Sequence, residues 1–354
     1  MIAITHGNLL DAPVEALVNT VNTTGVMGKG IALQFKQAFP AMFQQYVRDC
    51  KAGEVRLGRM HVYEAGGLVG GPRWIINFPT KDHWRSSSRL SDVEAGLDDL
   101  AATIQRLNIR SIAVPPLGCG NGGLNWADVR PRIEATLGRL PGVSVYVYEP
   151  GNAPQAAAMP NRTERPEMTL GRAALILLMD RYLKGLLDPF VTLLELHKLM
   201  YFLQVAGQPL RLQYEARTFG PYAKNLRQVL IKLEQHYTRG YGDGKDEPTK
   251  PIELLPGAVD AATSFLDQHP DVVRRMDRVT ELIDGFEDPQ GLELLSSVHW
   301  VMHHQPEIRD DLYAVVQCVH AWSPRKRRVL KPDHIAKAWE RLRQLGWDAI
   351  PEAA

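Results

Sequence analysis

The sequence predicts a three-layer α/β domain with a mostly parallel sheet, followed by a mainly α-helical domain. Two observations carry this. Short apolar strands alternate with amphipathic helices over roughly the first 150 residues, the pattern of a parallel sheet covered on both faces. Beyond a proline- and alanine-rich stretch, apolar residues recur every three or four positions and strand signals become scarce.

The candidate strands are "MIAITHG", "ALVNTVN", "RMHVYEA", "RWIINFP", "SIAVPPL" and "VSVYVYE", each bounded by turn residues. Three helices are expected between them, over 30–50, 89–107 and 125–140. In the second, Val93, Leu97, Leu100 and Ile104 share one face, and Ser91 with Glu94 spells a capping box. The expected boundaries are 1–152 for the first domain, 153–168 for the linker and 169–354 for the helical domain.

Composition excludes more than it selects. With 354 residues, 45% hydrophobic and 23% charged, the chain has the profile of a soluble globular protein. The formal net charge is +1, so bulk charge names no partner. Three cysteines, Cys50, Cys119 and Cys318, show no CxxC spacing, which argues against a disulfide framework or a zinc ribbon. The N-terminus lacks the apolar core of a signal peptide, and no apolar run is long enough to span a membrane. A cytoplasmic location is expected.

Two glycine-rich loops point to an anionic ligand. "NTVNTTGVMGKGIALQFK" (19–36) turns from a strand into a helix, with glycines at 25, 28 and 30. Backbone N–H groups and a helix N-terminus suit a phosphate there. "PPLGCGNGGLNW" (115–126) also follows a strand. Two such loops after two parallel strands can pinch a doubly charged ligand from both sides. Neither is a Walker loop or GxGxxG.

Together with "GNLLD" (7–11) and "VEALVNTVN" (14–22), these loops resemble the macrodomains, the ADP-ribose-binding fold. More narrowly they resemble the DarG branch, antitoxins that act against DNA-ADP-ribosylating toxins. The resemblance implies a macrodomain with a mixed, mostly parallel sheet and an ADP-ribose ligand, with no metal or cofactor. It implies Asn8 and Leu9 at the adenine. Asn22 and the run Gly28, Lys29, Gly30, Ile31 and Ala32 would meet the distal ribose and diphosphate. Gly118, Cys119, Gly120, Asn121 and Gly122 would close from the other side, with a hydroxyl from Thr80.

Lys81, at the end of "IINFPTK", stands where that branch carries a catalytic lysine. A relative that cleaves carboxylate esters adds an aspartate in the second loop, where this chain has Asn121 and Gly122. No carboxylate pair of the glycosidase kind is evident in these loops. Lysine offers two routes, as a neutral amine nucleophile or as a cation that stabilises the leaving base.

The activity implied is removal of ADP-ribose from thymidine in single-stranded DNA, by a DNA ADP-ribosyl glycohydrolase. Trp84, Arg85 and Arg89 would touch that DNA. "LHKLMYFLQ" and "ARTFGPYAKNLR" resemble the Panacea or SocA-like helical domain, which implies binding of the cognate ADP-ribosyltransferase toxin. Alternatives are a non-catalytic ADP-ribose reader and a purely toxin-sequestering antitoxin. Asp243, Asp246, Glu247, Glu281, Asp284, Glu287, Asp288 and Glu293 are candidate phosphate mimics toward the toxin, set against an ordinary solvated face.

Overall fold

The computed structural model describes residues 1–66, 71–151, 154–185 and 190–348. The first expected linker position, 153, and the last six residues of the chain lie outside that range. The chain divides into two units. The first comprises Met1–Glu164 with Gly242–Lys245; the second comprises Arg165–Tyr241 and Asp246–Ala354.

The first unit runs β1 (Ile2–Thr5), β2 (Ala16–Asn22), α1 (Gly30–Ala38), α2 (Pro40–Lys51), β3 (His61–Glu64), β4 (Trp74–Lys81), α3 (Leu90–Arg106), β5 (Ser111–Val114), α4 (Trp126–Leu137) and β6 (Ser144–Tyr148). The strand order is β1-β6-β5-β2-β4-β3. Every neighbouring pair is parallel except β3 and β4. Alternation along β2 sends successive residues to opposite faces. Ala16 and Val18 join a core with Val93, Leu97 and Ile133 of α3 and α4. Leu17 and Val21 join a second core with Phe35, Met42 and Tyr46 of α1 and α2. The sheet is therefore covered on both sides, as the strand-helix alternation predicts.

Two local expectations are corrected. The helix expected over 30–50 is broken at Phe39, whose φ of −132° and ψ of 70° are not helical. Pro40 is the cause: it restricts the residue before it and then opens α2. Ser91 is not an N-cap either. Helix α3 begins at Leu90 after Arg89, with no side-chain cap.

The second unit is mainly helical, as expected. Its helices are α5 (Leu170–Gly185), α6 (Leu193–Val205), α7 (Leu226–Leu233), α8 (Ala258–Leu266), α9 (Pro270–Ile283), α10 (Pro289–His304), α11 (Leu312–Trp322), α12 (Pro324–Val329) and α13 (Pro332–Gln344). A two-stranded hairpin, β8 (Tyr214–Arg217) and β9 (Gly220–Ala223), lies among them, with β7 (Val191–Thr192), β10 (Thr238–Arg239) and β11 (Pro251–Leu254) in a small second sheet. Helix α6 carries a full capping box, Thr192 with Glu195. Among the described residues, no helix is long and apolar enough to cross a membrane.

Buried charge marks this unit. Glu293 accepts from Arg325 at 2.5 and 3.0 Å and from Lys326 at 3.0 Å. Glu293 is 2% exposed, so it cannot be the surface phosphate mimic the sequence suggested. Asp243, 3% exposed, fails that role for the same reason. Nearby, the buried Lys198 donates to the Pro221 carbonyl at 2.7 Å. Burial first, and then the Lys326 charge, push its pKa down to about 7.

A lysine with an unfolded value near 10.4 then holds more protons in the unfolded chain than in the fold between pH 7 and 10. Stability should therefore rise with pH across that window, by at most about 1.4 kcal/mol per pH unit. Urea unfolding of the full chain at pH 7 and pH 9 checks this. The rise should shrink in Lys198→Met.

Candidate active site

Strands β4, β2 and β5 are adjacent and parallel, so the loops after them emerge at one edge of the sheet. These loops are residues 23–29, 82–89 and 115–125. The first two glycine-rich segments and Lys81 are thereby brought together. A Cβ placed on Gly30 would stand 3.3 Å from Asn121 Nδ2, which measures how closely the two glycine loops approach.

The first loop is built around Asn22. Its Oδ1 accepts from Thr24 N at 3.0 Å, Thr24 Oγ1 at 2.7 Å and Val26 N at 3.3 Å. Its Nδ2 donates to the Val26 carbonyl at 2.6 Å. Tyr46, buried on α2, donates its hydroxyl to the Asn22 carbonyl at 2.5 Å. Asn22 is expected to touch ligand; its side chain also shapes the loop. Gly30 opens α1 with φ +58°, and its N–H donates to the Asp243 carbonyl at 2.8 Å within the same unit. Lys29 caps the helix from an extended conformation, and Ile31 and Ala32 pack against the core beneath.

The second loop is tied to the segment after β4. Gly118 has φ +71°, and its carbonyl accepts from Leu124 N at 3.0 Å. A Cβ on Gly122 would lie 2.3 Å from Ser88 Oγ and 2.4 Å from the Gly118 carbonyl, so only glycine fits. Ser88 N donates to the Gly122 carbonyl at 2.9 Å. Cys119 is half-buried, its thiol pushed up to about 11 by burial, which makes it a poor nucleophile.

Lys81 ends β4, the neighbour of the strand that leads into the first loop. Its Nζ donates to the Asn121 carbonyl at 2.9 Å and to the Trp84 carbonyl at 3.2 Å. Burial lowers its pKa from the ordinary lysine value. The neighbouring Thr80 is 4% exposed, and its hydroxyl turns to the Val21 carbonyl at 3.4 Å. Trp84 is 40% exposed, with Arg85 4.5 Å from its ring centroid. Arg89 precedes α3.

At the other end of the edge, Asn8 caps the short 3-10 turn Leu9–Asp11. Its Oδ1, the atom expected to accept from adenine, accepts from Leu10 N at 3.2 Å. Its Nδ2 donates to Asp11 at 2.9 Å and to the Ala158 carbonyl at 3.3 Å. Leu9 is buried beside it.

Sequence reading missed the support beneath the first loop. Asp49 accepts from His61 Nε2 at 2.7 Å, His61 Nδ1 meets Asn77 Nδ2 at 3.1 Å, and Asn77 Oδ1 accepts from Asn19 Nδ2 at 2.8 Å. Asn19 and Asn77 are fully buried partners across β2 and β4. The available signal was an asparagine inside each of two apolar strands, since a polar group buried in a sheet must be hydrogen-bonded. Ser88, which sets the second loop, left no signal in the sequence.

The Macro domain family model matches residues 18–133, from β2 through α4, and so takes in both glycine loops and Lys81. The DNA ADP-ribosyl glycohydrolase of Thermus aquaticus is 48% identical over 98% of this chain and 94% of its own length. The chain belongs to the DNA ADP-ribosyl glycohydrolase family. The family's Mycobacterium tuberculosis member is 43% identical over 97% of this chain and 99% of its own. A DNA ADP-ribosyl transferase-DNA ADP-ribosyl glycohydrolase fusion protein of Thermosipho africanus is 31% identical over 42% of each chain. Among solved structures, the macrodomain of Mycobacterium tuberculosis DarG is 55% identical, covering 43% of this chain and 99% of its own, with a TM-score of 0.42. Membership makes the chain a hydrolase, and the macrodomain fold with a helical second part is the architecture the sequence resemblance implied.

Proposed function

We propose that this glycohydrolase removes ADP-ribose from thymidine in single-stranded DNA, and that Lys81 is its catalytic residue. The observation that carries this is Lys81 Nζ held by two backbone carbonyls, Asn121 of the second glycine-rich loop and Trp84 of the loop after β4. A tetrahedral nitrogen with one bond to carbon and two N–H groups spent on carbonyls has one position left. In the ammonium that position is an N–H; in the neutral amine it is the lone pair. The clamp fixes its direction in either state.

The net reaction breaks the bond between the distal ribose C1 and the thymine nitrogen. Water supplies the oxygen to C1 and the proton to the base. A charged Lys81 supports the departing base as negative charge develops. A neutral Lys81 attacks C1 and is later released by water. The first glycine loop with the α1 N-terminus, and Gly118 to Gly122 opposite, would cradle the diphosphate and distal ribose. A ligand oxygen at Gly30 N–H would exchange for the Asp243 carbonyl that accepts there now. Asn8 and Leu9 would lie by the adenine.

The test is an oligonucleotide carrying one ADP-ribosyl-thymidine, incubated with the full chain and followed by mass. Return to the unmodified mass supports the reading. A second reading, a non-catalytic ADP-ribose reader, draws on one observation: the second loop offers Lys81 a backbone carbonyl, not a carboxylate. Under it the mass stays unchanged while ADP-ribose still binds.

Asn22 gives a further expected result. Asn22→Ala removes the staple that holds Thr24 and Val26 and leaves their donors unpaired. That loss is worth about 1–3 kcal/mol. ADP-ribose affinity, measured by calorimetry, should weaken about tenfold or more.

The helical unit is proposed to bind the cognate ADP-ribosyltransferase toxin. The resemblance of its sequence to toxin-binding helical domains supports this, as does the Thermosipho africanus fusion that joins a transferase to a glycohydrolase. A catalytically dead full chain should still suppress DNA modification by the purified toxin.

A further inference from the structure

Trp84 is one of few large apolar side chains left exposed among the described residues, at 40%. It sits on a segment that is fixed, not loose. The Asp82 carbonyl accepts from Thr23 N at 3.1 Å and Thr23 Oγ1 at 2.7 Å. Asp82 Oδ1 accepts from His83 N at 2.7 Å, and His83 Nδ1 accepts from Arg85 N at 3.2 Å. Ser88 N fastens the far end to Gly122 at 2.9 Å. The Trp84 carbonyl is itself one of the two acceptors holding Lys81. An indole is thus held in solvent one peptide away from the reactive amine. That arrangement leaves part of the ring open to a partner beside the amine.

The surrounding charge says what could. Arg85 stands 4.5 Å from the ring centroid, the His83 ring 5.5 Å away, and Arg89 follows on the same segment. Asp82 is the acidic member, and its carboxylate is engaged by backbone. An indole with one arginine against its ring and a second on the same segment complements a base and its phosphates. A base inside a duplex has both faces stacked already, whereas an unpaired one offers a face.

We propose that Trp84 is the platform on which the base next to the modified thymidine stacks, and that this contact favours single-stranded substrate. The inference rests on the glycohydrolase reading above.

The experiment measures KM for two oligonucleotides, each with one ADP-ribosyl-thymidine. One has ordinary neighbouring nucleotides and the other has abasic neighbours on both sides. In Trp84→Ala, KM for the first should rise about tenfold, the size of one base–aromatic stack. KM for the second should stay within about twofold of the wild-type value, because the partner of the ring is already missing. Trp84→Phe should recover most of the loss. Equal losses on both substrates would overturn the proposal, since Trp84 would then act only by propping Lys81. Unchanged KM on the first would overturn it too. If the wild type cleaves neither substrate, the glycohydrolase reading fails by itself. Affinity for an unmodified single strand then decides: a tenfold loss in Trp84→Ala supports the platform, and equal binding removes it.

Discussion

Lys81→Ala is expected to lower turnover of ADP-ribosylated DNA by about three orders of magnitude, the scale of losing a positioned acid, base or charge-stabilising donor. ADP-ribose affinity should change little. The glycine loops hold themselves through Asn22, Gly118 and the Ser88–Gly122 contact, not through the lysine side chain. Single-turnover kinetics with calorimetry on the same variant separates the two effects. A parallel fall in affinity and turnover would make Lys81 a binding residue.

The pH profile of the wild type then assigns the form that acts. Burial places the Lys81 pKa below that of an ordinary lysine. If the neutral amine attacks, kcat rises with pH and levels off at that lowered value. If the ammonium supports the leaving base, kcat falls as pH rises through it. Carbonyl acceptors at 2.9 and 3.2 Å orient the group without bringing in the full negative charge of a carboxylate.

Glu293→Ala is expected to destabilise the helical unit by about 3–5 kcal/mol, because it leaves a buried lysine without its partner. Lys326 is 0% exposed and has Glu293 and Ser297 as acceptors at 3.0 and 2.8 Å. Arg325 loses its paired contact as well. For a unit of this size the midpoint of thermal unfolding should drop on the order of ten degrees. Glu293→Gln, which keeps an acceptor, should cost less. The first unit has its own two cores and contains Lys81 with its clamp. Hydrolysis at low temperature should therefore persist in Glu293→Ala, while toxin suppression should fail on mild warming. A loss of both together would show that the units depend on one another.

The basic run "PRKRR" shows where local reading stops. As sequence it is a short cationic cluster of the kind usually left in solvent. In the fold it is helix α12, and its middle lysine is the buried partner of Glu293, while Arg325 reaches the same carboxylate. Nothing within five residues of Lys326 announces a carboxylate 33 positions away. The histidines at 299, 303 and 304 are a similar case. Burial pushes His299 down to about 3, and its Nδ1 meets the Tyr201 hydroxyl at 2.7 Å. It is a neutral core residue bonded to a tyrosine.

The layered first domain, the helical second part and the loops that converge on one sheet edge are legible in the residues alone. Those follow from period-two and period-3.6 apolar patterns and from glycine, which act over a few residues. The family is legible there as well, because the motifs around the two glycine loops and Lys81 are contiguous. The internal partners of the polar atoms emerge only in the folded chain. Asn22, Asn8 and Thr80 each look like ligand contacts in the sequence, and each has its side chain engaged within the protein. The carbonyl clamp on Lys81 joins residues 40 apart, and the Asn19–Asn77 bond joins residues 58 apart. Hydrogen bonds are short-range and directional, so who bonds to whom is settled when the strands take their register, not by the order of residues along the chain.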